Sequence, residues 1–394
     1  MNKPMRLSSG ISAPGSGPVL MRILDTQALL ALGPEWEELI QHALEENAYY
    51  ARQYTQALLE HVEKRPVFAV SVWHGPRLIA LMPYVSAPLR WGGLAPVNKT
   101  WRTPYTPMTV PLVDRREADV AITGLVDAMS DGTTGADAWL LLDMTLDGPV
   151  NRALSAEWHK RDMEHQVYDP FERAVLTQGD TFDTHMKSHV SKKRRKDLVR
   201  NRKRLAELGV VHYERHTDGE GLERAVEDFL RIEAAGWKGE AGTALDCSPE
   251  TRAFARQAFG TWNGQSVTRA DLLRLDGKTI AVNLSLQTSR TAFTIKCAFD
   301  ETYRTQSAGL LLEEDMIRDF LEGDWADTLD SATAPGHLIQ SLWNGSISVG
   351  DVLVDARASG GGLSGRLRFR AEDVRRFAHA RLKQAVHTYR ARRG

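Results

Sequence analysis

The sequence from Cys297 to Leu312 reads CAFDETYRTQSAGLLL, which is typical of a strand, a short loop of small residues and the start of an amphipathic helix. The first backbone amides of a helix lack carbonyl partners, and the positive end of the helix dipole lies beside them. We therefore expect the amides of Gln306 to Leu310 to form a site for a phosphate or pyrophosphate. A plain helix cap has the same local pattern, so the loop alone leaves both interpretations open.

Strands surround this loop in the chain. A tight turn around Gly277 separates two of the three strands before it, and a helix from Gly309 to about Glu322 follows it. The predicted strands are Ala270 to Leu275, Thr279 to Thr288, Thr291 to Ala298 and, beyond the helix, Trp325 to Ala332.

The spacing Arg304-x-x-Ser307-x-Gly309 resembles the Gln/Arg-x-x-Gly-x-Gly/Ala loop with which GNAT acyltransferases hold the pyrophosphate of acyl-coenzyme A, although serine stands where the family has its first glycine. The resemblance implies that the strand after the helix splays from its neighbour and opens a slot for the acyl thioester. Acids in the first turns of the helix, Glu313 to Asp315, would repel a pyrophosphate if they leaned toward the loop. The resemblance implies coenzyme contacts at Phe299, Arg304, Gln306, Ser307, Ala308, Gly309 and Leu310.

A wider stretch, from about Asp183 to Asp330, is similar to bacterial acetyltransferases associated with cellulose and other exopolysaccharide gene sets. It is more distantly similar to the FemABX aminoacyltransferases, which have tandem domains. The resemblance implies an α/β (α+β) fold with two GNAT-like domains, each a mixed, mostly antiparallel twisted sheet flanked by helices. Its landmarks are the basic helix Ser191 to Leu198, the segments Leu205 to Gly209 and Glu233 to Lys238, the hairpin at Gly277 and the segment Phe299 to Tyr303.

Length and composition fit two globular domains. The chain has 394 residues, more than one ordinary core accommodates, and its formal charge of -1 gives no overall attraction to nucleic acid or membrane. Two cysteines, Cys247 and Cys297, supply neither a disulfide framework nor a metal set. No segment has the length and apolar character of a membrane span or a signal peptide, so we expect a cytoplasmic protein.

The first half has its own series of elements. It includes a long helical stretch from Glu35 to Val62 and an irregular segment from Trp91 to Pro111, which fits a cleft-lining loop or a structural loop equally well. No second phosphate loop follows its hairpin, so we expect this half to shape an acceptor cleft without binding coenzyme A. The predicted divisions are a flexible leader (1–18), an N-terminal domain (19–180), an acyltransferase domain (181–355), a Gly-rich link (356–370) and a terminal helix (371–394).

Acyl transfer to an amine needs a polarised carbonyl, a proton acceptor for the amine and a protonated leaving thiolate. Given the resemblance, Asp300 is the first candidate for the base, because it ends the strand beside the loop; a capping role stays equally open. Glu233 is the second candidate base, and Tyr303 is a candidate proton donor to the thiolate. Backbone amides near Cys297 to Phe299 would polarise the carbonyl.

Side chains near these candidates predict the acceptor site. Trp237 and Lys238 follow Glu233 directly, so a large aromatic and a cation can frame an acceptor, although such a tryptophan also suits a core. Lys296 and Asp330 are weaker candidates for contacts with the substrate. Cys297 has no recognisable His and acid partners, so we expect a buried thiol and direct acyl transfer rather than an acyl-enzyme.

Two further motifs are discounted. His185 and His189 are four residues apart, but no third ligand accompanies them in a metalloprotease pattern, so we expect no metal. Gly360 to Gly365 satisfies G-x-G-x-x-G literally, yet the extended pattern predicted for Arg366 to Arg370 separates it from the next helix, which argues against dinucleotide binding.

The basic helix supports an alternative. Ten lysines or arginines and one acid, Asp197, lie between Lys187 and Arg204, while an apolar side containing Leu198, Val199 and Leu208 would dock on the domain. The charges suit plain solvation, contact with coenzyme phosphates or an anionic sugar, or a tRNA acceptor stem. The sequence thus predicts an acyltransferase that moves an acetyl group from acetyl-CoA, or another acyl-CoA, to a small-molecule amine such as an amino sugar. The alternatives are an aminoacyl-tRNA-dependent transferase and a non-catalytic binding protein.

Overall fold

The computed structural model describes residues 17–90, 95–357 and 362–391 of the chain. Within these residues, thirteen strands form one mixed sheet, in which most neighbouring strands are antiparallel. The strands are β1 (Val19–Leu24), β2 (Phe68–His74), β3 (Arg77–Arg90), β4 (Ala95–Thr100), β5 (Leu112–Val113), β6 (Ala138–Thr145), β7 (His165–Thr177), β8 (Val211–His216), β9 (Thr268–Leu275), β10 (Lys278–Thr288), β11 (Thr291–Phe299), β12 (Thr328–Asp330) and β13 (Gly345–Asp355).

Helices flank the sheet, and several begin where the side chain of a polar residue caps the first turn. Thr181, Ser191 and Ser248 each accept a hydrogen bond from the amide three residues later, which satisfies one of the free amides at the helix start. The helices are α1 (Thr26–Leu30), α2 (Pro34–Gln41), α3 (Arg52–Ala57), α4 (Ala118–Ser130), α5 (Pro149–Lys160), α6 (Phe182–Ser188), α7 (Lys192–Ala206), α8 (Gly219–Ala235), α9 (Trp237–Glu240), α10 (Pro249–Phe259), α11 (Ala308–Glu322) and α12 (Gly362–Ala391). None of these described helices is long and apolar enough to cross a membrane.

The strand order shows an architectural repeat. Antiparallel strands β1 to β4 lead to a parallel pairing of β4 with β6, and antiparallel strands β8 to β11 lead to a parallel pairing of β11 with β12. A helix connects the two strands of each parallel pair, α4 in the first half and α11 in the second. The structure thus confirms the predicted mixed, mostly antiparallel architecture with helices on its faces.

The two halves share the sheet. Strand β13, late in the chain, pairs with β6 and β7 of the first half, and β7 in turn pairs with β12 of the second half. Side chains also cross between the halves: the Glu46 carboxylate accepts a hydrogen bond from the Thr291 amide at 2.9 Å, and the Gln53 amide donates to the Gly260 carbonyl at 2.8 Å. The result is a continuous sheet with a joined interior.

Successive side chains along a strand point to opposite faces of the sheet, so the apolar core is divided into clusters on the two faces. Leu272 packs in the larger apolar cluster, with helices α8 and α10, whereas its neighbour Leu273 packs in the cluster that contains α7 and α11. Buried leucines of this kind each contribute about 2 kcal/mol of burial free energy. Helix α11 is therefore fixed on one face of the sheet, with its first turn at the end of β11.

Three sequence expectations about secondary structure are wrong. The stretch from Glu35 to Val62 is not one helix: α2 ends at Gln41, Ala43 forms a bridge with Asp114, and Asn47 caps a new 3-10 turn before α3. The irregular segment contains strand β4, because its backbone pairs with β3. Residues 366–370, expected to be extended, belong to α12; Gly360 and Gly361 lie outside the described residues.

Candidate functional site

Strands β11 and β12 separate beside the start of α11. They pair only from Thr291 to Phe293, after which β11 continues to Phe299 while β12 ends at Asp330. A β-bulge at Ile295 adds to the divergence, because the partners of β10 step from Lys296 to Thr294. The edge of β11 that faces away from β10 is therefore open along its last residues, as the resemblance implied.

A cavity of about 540 Å³ occupies this gap. Residues from β11, the start of α11 and the segment after β12 surround it, together with the first two residues of α9. Its lining residues are Trp237, Lys238, Asn283, Thr294, Ile295, Lys296, Cys297, Phe299, Arg304, Ser307, Gly309, Leu310, Glu313, Ser331, Thr333, His337, Leu338, Ile339 and Leu342. Eight of the residues proposed from the sequence are brought together here: Trp237, Lys238, Lys296, Phe299, Arg304, Ser307, Gly309 and Leu310.

The loop before α11 offers fewer free amides than expected. The Ser307 amide donates to the Arg304 carbonyl at 3.0 Å, and the Leu310 amide donates to the Ser307 carbonyl at 2.9 Å. Within the described residues, the amides of Ala308 and Gly309 have no such backbone partner, so they are the groups that can hold an anion. Gln306 and Ala308 do not line the cavity with their side chains.

The backbone conformation of Ser307 accounts for the glycine that the family usually has at this position. Its backbone adopts the left-handed conformation, with φ +55°, which glycine takes without strain. The Ser307 hydroxyl accepts a hydrogen bond from the side chain of Asn201 at 3.1 Å, so the serine fastens the loop to α7. Gly309 lies close to the strand as well: a Cβ atom there would lie 3.3 Å from the Phe299 ring, so the ring would have to shift slightly.

Of the three acids in the first turns of α11, Glu313 to Asp315, two are neutralised by ion pairs. Arg202 of α7 forms ion pairs with Glu314 at 2.7 Å and Asp315 at 2.8 Å, and it also donates to the Leu311 carbonyl. The tension predicted from the sequence is thus resolved for two of the acids. Only the third, Glu313, faces the cavity.

Glu313 was missed as a site residue. Its carboxylate accepts a hydrogen bond from the Trp343 indole at 2.7 Å, and burial raises the pKa of Glu313 to about 7 although this hydrogen bond opposes the shift. A carboxyl group that titrates near neutrality inside a cavity is suited to accept a proton. The helical spacing from Gly309 to Glu313 places both on one face of α11, and this signal was available in the sequence.

Cys297 is exposed to the cavity and not buried as expected. Its thiol nevertheless lies among protein atoms, and this desolvation raises the pKa of Cys297 to about 12. The thiol therefore stays protonated at neutral pH, which makes it a poor nucleophile.

Asp300, the first candidate for the base, does not line the cavity. Its carboxylate caps the turn that follows β11, accepting from the Thr302 amide and hydroxyl, and it forms an ion pair with Lys278 at 2.8 Å. Burial raises the pKa of Asp300, but the hydrogen bonds from Lys278 and Thr302 outweigh burial and lower it overall. A carboxylate held in its charged form in this way is a weak proton acceptor, so the capping role accounts for Asp300.

Tyr303 and Asp330 also lie outside the lining. The ring of Tyr303 lies under the Lys278 ammonium, 5.8 Å from its centroid. Asp330 is buried, where it faces Arg173 at 3.6 Å and accepts from the Ala332 amide. Both residues hold the protein framework around the cavity.

Glu233 adjoins the cavity through a small side pocket that also touches Trp237, Lys238 and Cys297. Its buried carboxylate accepts from the Lys238 ammonium at 2.8 Å and from the Leu245 amide at 2.8 Å, which closes the turn after α8. Glu233 thereby positions Lys238. Trp237 is 60% exposed at the cavity and is not part of the core.

Tyr105 of the first half contacts Lys296, one of the residues that line the cavity. The Lys296 ammonium lies 4.8 Å from the centroid of the Tyr105 ring, and Tyr105 stacks on Phe254. Burial lowers the pKa of Lys296, which a nearby Glu233 carboxylate partly offsets. Part of the irregular first-half segment therefore lies beside the cavity, as one of its two interpretations expected.

Helix α7 presents its cations beside the loop. Lys192, Lys193, Lys196, Lys203 and Arg204 are all exposed. The expected apolar side is narrower than the sequence indicated, because Val199 is 71% exposed and Leu208 is 52% exposed. Leu198 and Leu205 dock the helix.

Comparison with known proteins supports the assignment of the second half. Residues 192–334 match the family model described as an acetyltransferase (GNAT) domain, a range that contains the loop, α11 and the cavity strands. No curated protein matches the chain.

A solved structure with a TM-score above 0.5 shares the fold at low sequence identity. The chain resembles the C-terminal domain of a protein named as a lysylphosphatidylglycerol synthetase from Agrobacterium fabrum, with 10% identity over 86% of this chain and 95% of that chain, and a TM-score of 0.52. The likeness to FemX is weaker, with 11% identity, coverage of 81% of this chain and 95% of that chain, and a TM-score of 0.47. The likeness to a tandem GNAT protein from the clavulanic acid biosynthesis pathway has 12% identity, coverage of 86% of this chain and 99% of that chain, and a TM-score of 0.41. The match over residues 192–334 shows that the second half of this chain contains an acetyltransferase (GNAT) domain.

Proposed function

We propose that the protein transfers an acyl group, acetyl first of all, directly from acyl-coenzyme A to a primary amine. The observation that carries the proposal is the cavity between β11 and β12, which is lined by Gly309 at the start of α11 and by residues on the open edge of β11. The Ala308 and Gly309 amides and the α11 dipole would hold the pyrophosphate, with Arg304 at the same end of the cavity. The thioester arm would then lie along β11.

The chemistry needs one proton acceptor at the inner part of the cavity, and we assign it to Glu313. Its carboxyl is half ionised near neutral pH, so it can take the proton that the amine loses as the C–N bond forms. As the C–S bond breaks, the protonated Glu313 carboxyl would return that proton to the leaving thiolate, so that the products are the amide and the free coenzyme thiol. Backbone N–H groups on the open edge of β11 would polarise the thioester carbonyl.

We expect direct transfer between the two substrates, without an acyl-enzyme, because of the protonation state of Cys297. Its thiol faces the cavity but stays protonated, because burial raises its pKa to about 12. An acyl-enzyme on Cys297, trapped and identified by mass spectrometry, would overturn this part of the proposal.

The acceptor would enter near Trp237, Lys238 and His337, which line the cavity. An exposed indole offers an apolar face to a sugar ring, and the sequence resemblance to exopolysaccharide-associated enzymes makes amino sugars the first acceptors to screen. Lys238 pairs with Glu233, so its charge is balanced and does not repel a cationic amine as a free lysine would.

We propose that the first half, residues 19–180, binds no coenzyme and serves to shape the acceptor side. Its helix α4 corresponds to α11 by position, but Glu117 stands at the α4 N-cap and pairs with His74 and Arg77. The sequence before α4 also lacks the Arg/Gln-x-x-Gly-x-Gly spacing of a phosphate loop. We also propose a cytoplasmic location, where acyl-coenzyme A is available.

An aminoacyl-tRNA-dependent transfer is the second candidate, favoured by the exposed cations of α7. That helix contacts the loop through Asn201 and Ser307, so an RNA phosphate backbone bound there would reach the cavity. The same cations would serve the phosphates of coenzyme A.

Calorimetric titration separates the two candidates. Acetyl-CoA, acetyl-pantetheine without the pyrophosphate, longer acyl-CoAs and bulk tRNA are titrated into the full-length protein at two salt concentrations. Micromolar binding of acetyl-CoA that is lost with acetyl-pantetheine supports the coenzyme site. Salt-sensitive tRNA binding without acyl-CoA binding would replace the proposal with the second candidate.

A further inference from the structure

Three potential metal ligands meet at the start of the second half, away from the cavity. Asp180 precedes α6, His185 lies within α6, and His189 is the residue at its C-terminal end. One ligand atom from each side chain lies within 4.8 Å of the other two. The sequence pattern gave the two histidines no third ligand, because Asp180 lies before the helix and joins them only in the fold.

The tautomer of His185 is fixed by its surroundings. Its Nε2 lies 2.7 Å from the Leu342 carbonyl oxygen, and a carbonyl only accepts hydrogen bonds, so Nε2 carries the proton. Nδ1 is then left with a lone pair. His185 is fully buried, and Nδ1 has no hydrogen-bond partner among the described residues. A buried acceptor without a partner can bind a ligand such as a metal ion.

The other two ligands leave one side of the cluster open. His189 Nε2 lies 3.3 Å from an Asp180 carboxylate oxygen, and both side chains are about one-third exposed. The rings of His185 and His189 lie with centroids 5.2 Å apart. Arg318 of α11 lies over the Phe182 ring and forms an ion pair with Glu322, which balances its charge.

We propose that Asp180, His185 and His189 bind a zinc ion, with water as the fourth ligand. Two imidazole nitrogens and one carboxylate form a ligand set that zinc prefers in proteins, and a histidine ligand usually donates its other N–H to a carbonyl or carboxylate, as His185 does. Ligand atoms around tetrahedral zinc lie roughly 3.3 Å apart, as follows from bonds of about 2.0 Å. The ligand atoms now lie within 4.8 Å of one another, so zinc binding requires the partly exposed Asp180 and His189 side chains to rotate toward His185.

The bound ion would act as a structural clamp. His185 holds the Leu342 carbonyl, and Leu342 lines the acyl cavity next to Trp343, whose indole donates to Glu313. Zinc would therefore hold the turn at Asp180, helix α6 and the cavity wall in one arrangement. It would not touch the reacting groups, since none of its three ligands lines the cavity.

Zinc binding to the full-length, tag-free protein tests the site. After treatment with a chelator, the protein is titrated with Zn²⁺ in the calorimeter, and the melting temperature is recorded with and without Zn²⁺. We expect one equivalent to bind and to raise the melting temperature by several degrees. Co²⁺ in place of zinc should give the visible absorption of a four-coordinate centre.

Variants at the two exposed ligands keep the test independent of folding. His189→Gln and Asp180→Asn should each weaken Zn²⁺ binding by about tenfold or more and remove the thermal shift, while the metal-free melting temperature stays near that of the wild type. His159→Gln, an exposed histidine at the end of α5, is the matched control and should bind zinc normally. No saturable binding in the wild type, or equal affinity in all four proteins, would overturn the proposal.

Discussion

The Glu313 side chain combines three properties that seldom occur together on a surface helix. It faces a cavity, it is desolvated enough for the pKa of its carboxyl to rise to about 7, and the Trp343 indole fixes its orientation. Each property follows from position: one helical turn after Gly309, the side chain points along the cavity wall.

Replacing Glu313 with Gln tests its role in proton transfer. In the wild type, kcat/KM should rise with pH through about 7, because Glu313 must be ionised to accept a proton. In E313Q that rise should vanish and kcat/KM at pH 8 should fall about 100-fold or more. The measurement is a pH–rate profile with acetyl-CoA and the best amine found by screening.

Trp343→Phe serves as the companion variant. It removes a hydrogen bond that stabilises the charged carboxylate, so the pKa of Glu313 should rise further and the rate profile should move to higher pH. An E313Q enzyme that keeps the wild-type profile would remove Glu313 from the mechanism.

The same pKa shift predicts how stability depends on pH. The folded pKa of about 7 lies above the ordinary 4.5, so the folded state binds the proton more tightly than the unfolded state. This contribution to stability is fully present below pH 4.5 and is lost as pH rises through about 7. Urea unfolding at pH 5 and pH 8 should therefore show E313Q gaining stability relative to the wild type at pH 8. An equal difference at both pH values would contradict the assigned shift.

Gly309→Val tests the anion loop. The added Cβ would already lie 3.3 Å from the Phe299 ring, and the branched methyl groups would enter the cavity beside the free amides. We expect acetyl-CoA affinity to fall by about tenfold to a hundredfold with little change in folding. The readout is calorimetric titration, with the melting temperature of the variant recorded to show that it is folded. Unchanged affinity in a folded G309V protein would contradict the loop assignment.

Individual residues of the site were predictable where backbone shape decides their role. Gly309 and Ser307 follow from the turn before a helix, and Phe299 and Lys296 from the strand that leads to it. Asp300 was placed correctly in the chain, but a neighbour distant in sequence, Lys278, determines its charge state. Glu313 was judged only as one of three acids that would repel a pyrophosphate, because the sequence does not show that Arg202 neutralises the two acids after it.

At the scale of elements, α7 and α11 are joined by one guanidinium. Arg202 pairs with Glu314 and Asp315 and donates to the Leu311 carbonyl, and the two acids are mostly buried. Removing the arginine would leave two adjacent carboxylates without their partner beside the anion loop.

Arg202→Ala should therefore lower both stability and acetyl-CoA affinity. We expect a loss on the order of 2 kcal/mol in the free energy of unfolding, moderated by the partial exposure of Arg202. Arg200→Ala, on the same helix, breaks only an exposed pair with Asp197 and should cost less than about 1 kcal/mol. Urea denaturation measures both variants, and equal losses would show that the clamp has no special role.

Elements were predictable where a periodic pattern is long and uninterrupted. Strands β9 to β11 and helices α7 and α11 follow from alternation and helical spacing. The stretch between Glu35 and Val62 did not follow, because an isolated bridge from Ala43 to Asp114 and the Asn47 cap interrupt a locally helical sequence. Tertiary pairing of this kind overrides local propensity.

For the molecule as a whole, the continuous sheet makes the two halves mechanically dependent. Strands β13 and β7 join them, and the Glu46 and Gln53 side chains bond across the seam. We expect differential scanning calorimetry of the full-length protein to give a single transition whose calorimetric and van't Hoff enthalpies agree. Two resolved transitions would show that each half unfolds alone.

Strand β13 also sets an order for synthesis. It occupies the middle of the first-half sheet, between β6 and β7, yet it is translated after nearly all of the second half. During translation, the edges of β6 and β7 that pair with β13 stay unpaired until β13 has been synthesised, which takes roughly 10 to 40 s at ordinary elongation rates. Unpaired strand edges can pair with other chains, so the nascent chain is prone to aggregation until β13 has been made. The first half to be made is the last to be finished.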